Sequence, residues 1–215
     1  MGLSKMEKKY LKDKVLTTIY PYIKDKEVLD IGCIEHDLER KDKERIWVHD
    51  FLRQNAKHVV GIDILKKDIE TLKKQGYDVY CQNAETFKLN KKFDVIFAGE
   101  LIEHLSNPGL FLEKCKLHLK KDGFLILTTP NAFTLSRILE EIIFFTNDPT
   151  VNPEHTLWYS PTVIKELLRR YDININKIYF VDYPNIKPKV TTRIISLICD
   201  IFGNKFRETM IIIAK

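Results

Sequence analysis

VLDIGCIEHD, residues 28–37, starts as a strand and ends as a ligand loop. Val28, Leu29 and Ile31 surround Asp30 and run into Gly32 and Cys33, as a buried strand does when it turns at its carboxyl end. A dinucleotide loop carries G-x-G-x-x-G, so that its backbone can approach a pyrophosphate at a helix N-terminus. Here a single glycine is followed by Ile34, Glu35, His36 and Asp37. The acids Asp30, Glu35 and Asp37 oppose a phosphate and suit a cationic amine.

Working outward, EVLDI (27–31) is the first of a series of strand-like runs. HVVGI (58–62), DVYCQ (78–82), FDVIFA (93–98) and FLILTT (124–129) follow, separated by the amphipathic segments ERIWVHDFLRQNA, LKKDIETLKKQG and GLFLEKCKLHLKK. Nearly continuous apolar strands alternating with helices define an α/β protein with a mostly parallel sheet, covered on both faces by right-handed crossovers. KKDG (120–123) reads as a helix stop with Gly123 as its left-handed cap. Beyond it, 131–145 reads as a helix ending at TNDP. SPTVIKELLRRY (160–171) starts a helix with Ser160 as N-cap and Pro161 at the first position. NINKIYFV (174–181) and ETMIIIAK (208–215) are late strands flanking the apolar helix TTRIISLICDIF, and the two can pair antiparallel at one edge. The count is seven strands. No linker or repeat divides the chain, so one domain is expected over 1–215, with an N-terminal helix to about residue 24 and an insertion near 131–171.

Composition narrows the class. The net charge is +5, but lysines alternate with acids in KKYLKDK and LERKDKER, which reads as solvated helix faces and not as a nucleic-acid stripe. Cys33, Cys81, Cys115 and Cys199 are far apart and form no C-x-x-C pair, which argues against zinc and for a reducing cytoplasm. The charged start MGLSKMEKKYLKDK lacks the apolar core of a signal peptide, and no run is long enough to span a membrane. A cytoplasmic protein is expected.

In open parallel sheets the ligand lies beyond the carboxyl ends of the strands, and the informative polar residues fall there. Asp63 ends the second run, where a carboxylate can bond the two hydroxyls of a ribose. A nucleoside bearing an amino acid, such as S-adenosylmethionine, satisfies both Asp63 and the acidic loop. VLDIGC, VVGIDI, NAETF, FDVIFAGELIEHLSNP, LKKDGFLILTTPN and HTLWYSP, in that order, resemble the class I S-adenosylmethionine-dependent methyltransferases. The branch that includes the ubiquinone-biosynthesis O-methyltransferases is the most similar.

The resemblance implies a Rossmann-like three-layer sandwich of seven strands with an antiparallel last strand. It implies that Asp30, Gly32 and Cys33 hold the methionine end of the cofactor, that Asp63 bonds the ribose, and that Ile64 packs near the adenine. Asn83 and Ala84 meet the adenine edge, and Gly99 and Glu100 lie beside the methionine amine and sulfur. Ile34-Glu35 departs from the family's Gly-x-Gly and puts the close backbone approach in question.

GELIEHLSNP (99–108) carries E-x-x-E-H on the acceptor side. Glu100, Glu103 and His104, joined by His155 of PEHTLWYSP, form a candidate ligand set for Mg²⁺ or Mn²⁺, which would bind neighbouring acceptor hydroxyls and acidify one. That set resembles metal-dependent methyltransferases of catechols and of the 3′-terminal ribose of small RNAs. His104 as a metal-free general base, or as a helix cap, stays open beside it. Tyr159 and Trp158 fall in a segment expected to lid the acceptor pocket; Trp47 and Phe51 read as helix core, His36 as a loop residue, and His58 and His118 as surface or helix-end residues. The fourth strand ends in AGEL and not in N-P-P-Y, which favours oxygen over an exocyclic amine. The expected activity is methyl transfer to a small-molecule hydroxyl. RNA or glycan methylation, and a cofactor-binding scaffold without turnover, are the alternatives.

Overall fold

Strand β1 (Glu27–Ile31) is the axis of the fold, and its residues face alternate sides. In the computed structural model, which describes residues 13–34, 46–144, 152–182, 197–201 and 203–215, it pairs in parallel with β2 (His58–Asp63) and β4 (Phe93–Gly99). Strand β3 (Val79–Cys81) extends the sheet beyond β2, and β5 (Leu119–Pro130) lies beyond β4. Strand β7 (Thr209–Ala214) inserts antiparallel between β5 and the edge strand β6 (Ile175–Val181), giving the order β3-β2-β1-β4-β5-β7-β6. The seven strands and the antiparallel seventh agree with the sequence reading.

Two cores account for the three layers. Leu29, Ile31, Ile96, Ala98, Leu125, Leu127 and Ile212 face one side and pack with residues of α4 (Pro108–His118) and α6 (Pro161–Arg170). Val28, Val95, Phe97, Ile126, Ile211 and Ile213 face the other and pack with residues of α1 (Lys14–Ile23) and α2 (Val48–Asn55). A third, smaller cluster joins Cys33, Ile34 and Val79 to Ile69 and Leu72 of α3 (Lys66–Lys74). A sheet buried on both faces uses its runs of Val, Ile and Leu to remove apolar surface from water, which is the main stabilising term.

Several boundaries depart from the sequence reading. The KKDG stretch is not a left-handed helix stop. Helix α4 passes directly into extended backbone at Leu119 (φ −86°, ψ 138°), and β5 starts there. Gly123 is absent from the positive-φ residues; a Cβ on it would stand 2.9 Å from the Asp94 carbonyl oxygen and 2.8 Å from Leu119 Cγ, so close approach to β4 is what requires glycine. The helix expected from residue 131 is α5 (Leu135–Phe144), preceded by a turn. Helix α2 starts at Val48, leaving Trp47 ahead of it. The Ser160 hydroxyl does cap α6, accepting the Val163 N–H. Glu35, His36, Asp37, TNDP and most of the N-terminal and TTRIISLICDIF segments fall outside the described residues. Among the described residues no helix is long and apolar enough to cross a membrane.

The amino ends of the strands carry an ion cluster. Lys120 Nζ reaches Glu27 Oε2 at 2.8 Å and Asp94 Oδ1 at 3.0 Å, and Lys91 reaches Glu27 Oε1 at 3.0 Å. Lys120 and then Lys91 push the Glu27 carboxyl down to about 2. Because that value lies below the ordinary one, the stabilisation is complete above about pH 4.5 and is lost as pH falls toward 2. Thermal melts at low salt should therefore show a melting-temperature gap between the protein and Lys120→Met that narrows from pH 6 to pH 3. A gap that does not change with pH would mean that the cluster contributes nothing through charge.

Candidate active site

By the rule for open parallel sheets, the candidate ligand crevice is the region beyond the carboxyl ends of β1, β2, β4 and β5. Gly32 adopts φ +78°, and the N–H groups of Gly32 and Cys33 donate to the Ile62 carbonyl at 2.9 and 3.2 Å, tying the loop to β2. The positive φ is what favours glycine there, and a Cβ would also press on Leu101 Cδ1 at 3.3 Å. Asp63 is oriented by backbone: Oδ2 accepts the Ile34 N–H and Oδ1 the Leu65 N–H, each at 3.0 Å. Each oxygen keeps a further lone pair for a ligand hydroxyl. Burial raises the Asp63 carboxyl, and the backbone bonds oppose that rise. Beside it Ile64 is 66% exposed, an apolar side chain at the mouth of the crevice. Asn83 accepts the Glu85 N–H at 2.7 Å in an Asx turn that presents buried Ala84.

The loop's missing glycines have a structural answer. Ile34 is 5% exposed and packs in the third cluster with Trp47, Leu65 and Tyr77, so its side chain leaves the crevice and anchors the loop. The Trp47 indole N–H donates to the Cys33 carbonyl at 2.8 Å. Asp30, expected to serve the methionine end, already has a protein partner: His49 Nδ1 donates to its Oδ2 at 2.7 Å. Phe51 is core, as the sequence suggested, whereas Trp47 is a loop clamp and His49 is buried.

The chain leaves β4 through a strained turn. Glu100 has φ +48°, a left-handed conformation costly for a non-glycine residue and characteristic of functional sites. Its N–H donates to both the hydroxyl and the carbonyl of Thr128, each at 3.0 Å. A 3₁₀ turn (Ile102–His104) then buries Glu103, whose Oε2 accepts the Thr129 hydroxyl at 3.0 Å. The segment before α6 is laced to this turn. Thr156 and Leu157 N–H groups donate to the Glu103 carbonyl at 2.9 and 3.2 Å, and the Thr156 hydroxyl reaches the carbonyls of Glu103 and Leu105. His155 is thereby set against His104, with ring centroids 4.7 Å apart. Trp158 stacks under the Arg137 guanidinium at 4.0 Å, and Tyr159 is buried.

Burial, followed by the Glu100 carboxylate, pushes Glu103 up to about 8. Burial and then His104 lower His155, while burial and then Glu103 push the Tyr159 phenol up to about 12. Glu103 Oε1 and the Tyr159 hydroxyl are buried without a hydrogen-bond partner among the described residues. Buried polar atoms are rarely left so, and a site that expects a ligand is one reason.

Glu103, His104 and His155 come together, their ligand atoms within 4.8 Å of one another, whereas Glu100 falls outside that group. Asp30, Gly32, Cys33, Asp63, Ile64, Asn83, Ala84, Gly99 and Glu100 all lie at or next to the strand ends that border the crevice. Sequence reasoning gave no role to His49, Thr128 or Thr129. The two threonines had a signal, since they end a strand beside the E-x-x-E-H turn; His49 had none beyond its nearness to the loop. His58 is a surface residue paired with Asp78 at 3.0 Å, and His118 is a buried helix end bonded to the Lys114 carbonyl and the Leu89 N–H.

A glycine turn after β1, a carboxylate at the end of β2 and an antiparallel seventh strand are the frame of a class I S-adenosylmethionine-dependent methyltransferase. The chain belongs to the methyltransferase domain family, whose profile matches residues 4–178. It is 29% identical over 188 residues to a ubiquinone biosynthesis O-methyltransferase of Rickettsia canadensis, covering 83% of this chain and 75% of that one. A SAM-dependent methyltransferase from Archaeoglobus fulgidus superposes with TM-score 0.63 at 21% identity, over 96% of this chain and 94% of the other. Magnesium protoporphyrin IX methyltransferase from Synechocystis, solved with SAH bound, superposes with TM-score 0.57 at 14% identity, over 100% and 88%.

If Ile34 is an anchor and not an obstruction, Ile34→Ala should lower stability by about 2–4 kcal/mol in urea unfolding, the cost of a cavity in a packed cluster. A variant of unchanged stability would put that side chain back in the crevice.

Proposed function

We propose that this methyltransferase moves the methyl group of S-adenosylmethionine onto a hydroxyl oxygen of a small-molecule acceptor, as a single-domain cytoplasmic enzyme with residues near 131–171 lidding the acceptor side. The carrying observation is the Asp63 carboxylate, held by two backbone N–H groups beside the exposed Ile64. Relatives named as O-methyltransferases support oxygen as the acceptor atom, and four free cysteines suit the cytoplasm. The cofactor, when bound, supplies a methyl group on a sulfonium centre that is displaced in line. Asp63 takes the ribose hydroxyls, Ile64 covers the adenine with Asn83 and Ala84 at its edge, and Asp30, Gly32, Cys33, Gly99 and Glu100 surround the methionine end. His104 and His155 face the acceptor and receive its proton, while Glu103 and Thr129 hold the turn that aims them.

A second reading is favoured by the three clustered donors and the unpartnered Glu103 Oε1. One carboxylate and two imidazoles fit a divalent cation, and with two nitrogen donors Mn²⁺ fits better than Mg²⁺. Such an ion would act as a Lewis acid that acidifies the acceptor hydroxyl. Glu103, His104 and His155 would hold it.

Calorimetry with S-adenosylhomocysteine should show Asp63→Asn binding at least tenfold more weakly, at unchanged circular dichroism, since bonds to a charged acceptor are the strong ones. Equal affinity would remove Asp63 from the ribose. Dialysis against a chelator should lower kcat/KM at least about tenfold, with Mn²⁺ restoring it and His155→Asn losing the response. Full activity in chelator would leave the two histidines as bases without a metal.

A further inference from the structure

His49 lies outside every role assigned above, yet it is fully buried and bonded to Asp30. It sits in the first turn of α2 with no side-chain exposure, and it grips Asp30, whose side chain is 4% exposed. The sheet makes room for it. Asp30 pairs in register with Gly61 of β2, and a Cβ on Gly61 would lie 2.8 Å from His49 Cε1 and 2.8 Å from Cys33 Sγ. The ring is also held by Trp47 and Tyr77, at centroid distances of 5.3 and 5.8 Å. Its other nitrogen, Nε2, is buried without a partner among the described residues. A protein that leaves one ring nitrogen unpaired in its interior keeps the histidine for what the other nitrogen does.

A carboxylate only accepts hydrogen bonds, so His49 Nδ1 carries the proton and Asp30 Oδ2 is committed to it. Asp30 Oδ1 accepts no hydrogen bond from any described residue. It lies at the carboxyl end of β1, two residues before the turn at Gly32.

We propose that His49 is a positioning residue for the cofactor: by holding Asp30 Oδ2 it fixes the carboxylate so that Oδ1 is presented to the ammonium group of the methionine end. The inference rests on the S-adenosylmethionine reading and adds a residue to it. The glycine-poor loop no longer needs to shape that end of the site through its own backbone. A histidine from the next helix orients the acid from behind.

The test compares two ligands by calorimetry. S-adenosylhomocysteine carries the ammonium group; 5′-methylthioadenosine has the same nucleoside and thioether without the amino-acid part. His49→Leu should bind S-adenosylhomocysteine about tenfold more weakly and 5′-methylthioadenosine within about twofold of the original protein, and His49→Asn, which keeps a donor near the Nδ1 position, should recover most of the loss. If the leucine variant does not fold, Asp30→Asn, which removes the charge and keeps the shape, should show the same split. Equal weakening of both ligands, or of neither, would overturn the positioning role while leaving the cofactor assignment intact. An original protein that binds neither ligand would overturn both.

Discussion

One carboxylate organises the crevice. Asp63 ends β2 and takes the Ile34 N–H from the loop that follows β1, so the neighbouring strands are joined at the edge where a ligand enters. The same residue takes the Leu65 N–H just before α3, which fixes the start of the next crossover. A buried carboxylate is costly unless hydrogen bonds satisfy it, and here the backbone does so before any ligand arrives. The Asp63 carboxylate is therefore held in place before any ligand binds. Loop, strand end and helix start depend on this one residue.

The loop after β1 departs from the family's glycine pattern and still makes a tight turn. Gly32 keeps the left-handed turn that a side chain would strain, and Ile34 sends its bulk into a small core under Trp47 and Tyr77. Glycines give such loops close approach at the cost of conformational freedom. This chain has a packed anchor instead, with Trp47 bonded to the Cys33 carbonyl and His49 to Asp30. On the acceptor side rigidity has the same source, since backbone bonds from Thr156 and Leu157 hold the turn that carries Glu103 and His104. The left-handed Glu100 and buried atoms of Glu103 and Tyr159 without a partner among the described residues lie there, at the place proposed for chemistry.

Much of this was legible in the sequence, for a physical reason. Strands covered on both faces must be continuously apolar, so β1, β2, β4 and β5 declared themselves, and the polar residues just after them marked the crevice. KKDG misled because a glycine after a lysine-rich helix signals a cap, whereas Gly123 answers a close contact with β4 that only tertiary structure contains. Ile34 was equally ambiguous, since the direction of one side chain depends on a cluster assembled from α3, β3 and Trp47. His155 could be paired with His104 only through the spacing of a known motif; their 4.7 Å contact arises from hydrogen bonds between segments distant in the chain. His49 carried no local signal, because its partner and the empty space over Gly61 lie on different strands.

The most direct test is a crystal structure with S-adenosylhomocysteine bound. The account predicts the adenine against Ile64, both ribose hydroxyls within hydrogen-bond distance of Asp63, the amino group facing Asp30, and Ile34 still packed beneath Trp47. A ligand lodged elsewhere, or one that enters only by expelling Ile34 from its cluster, would contradict it.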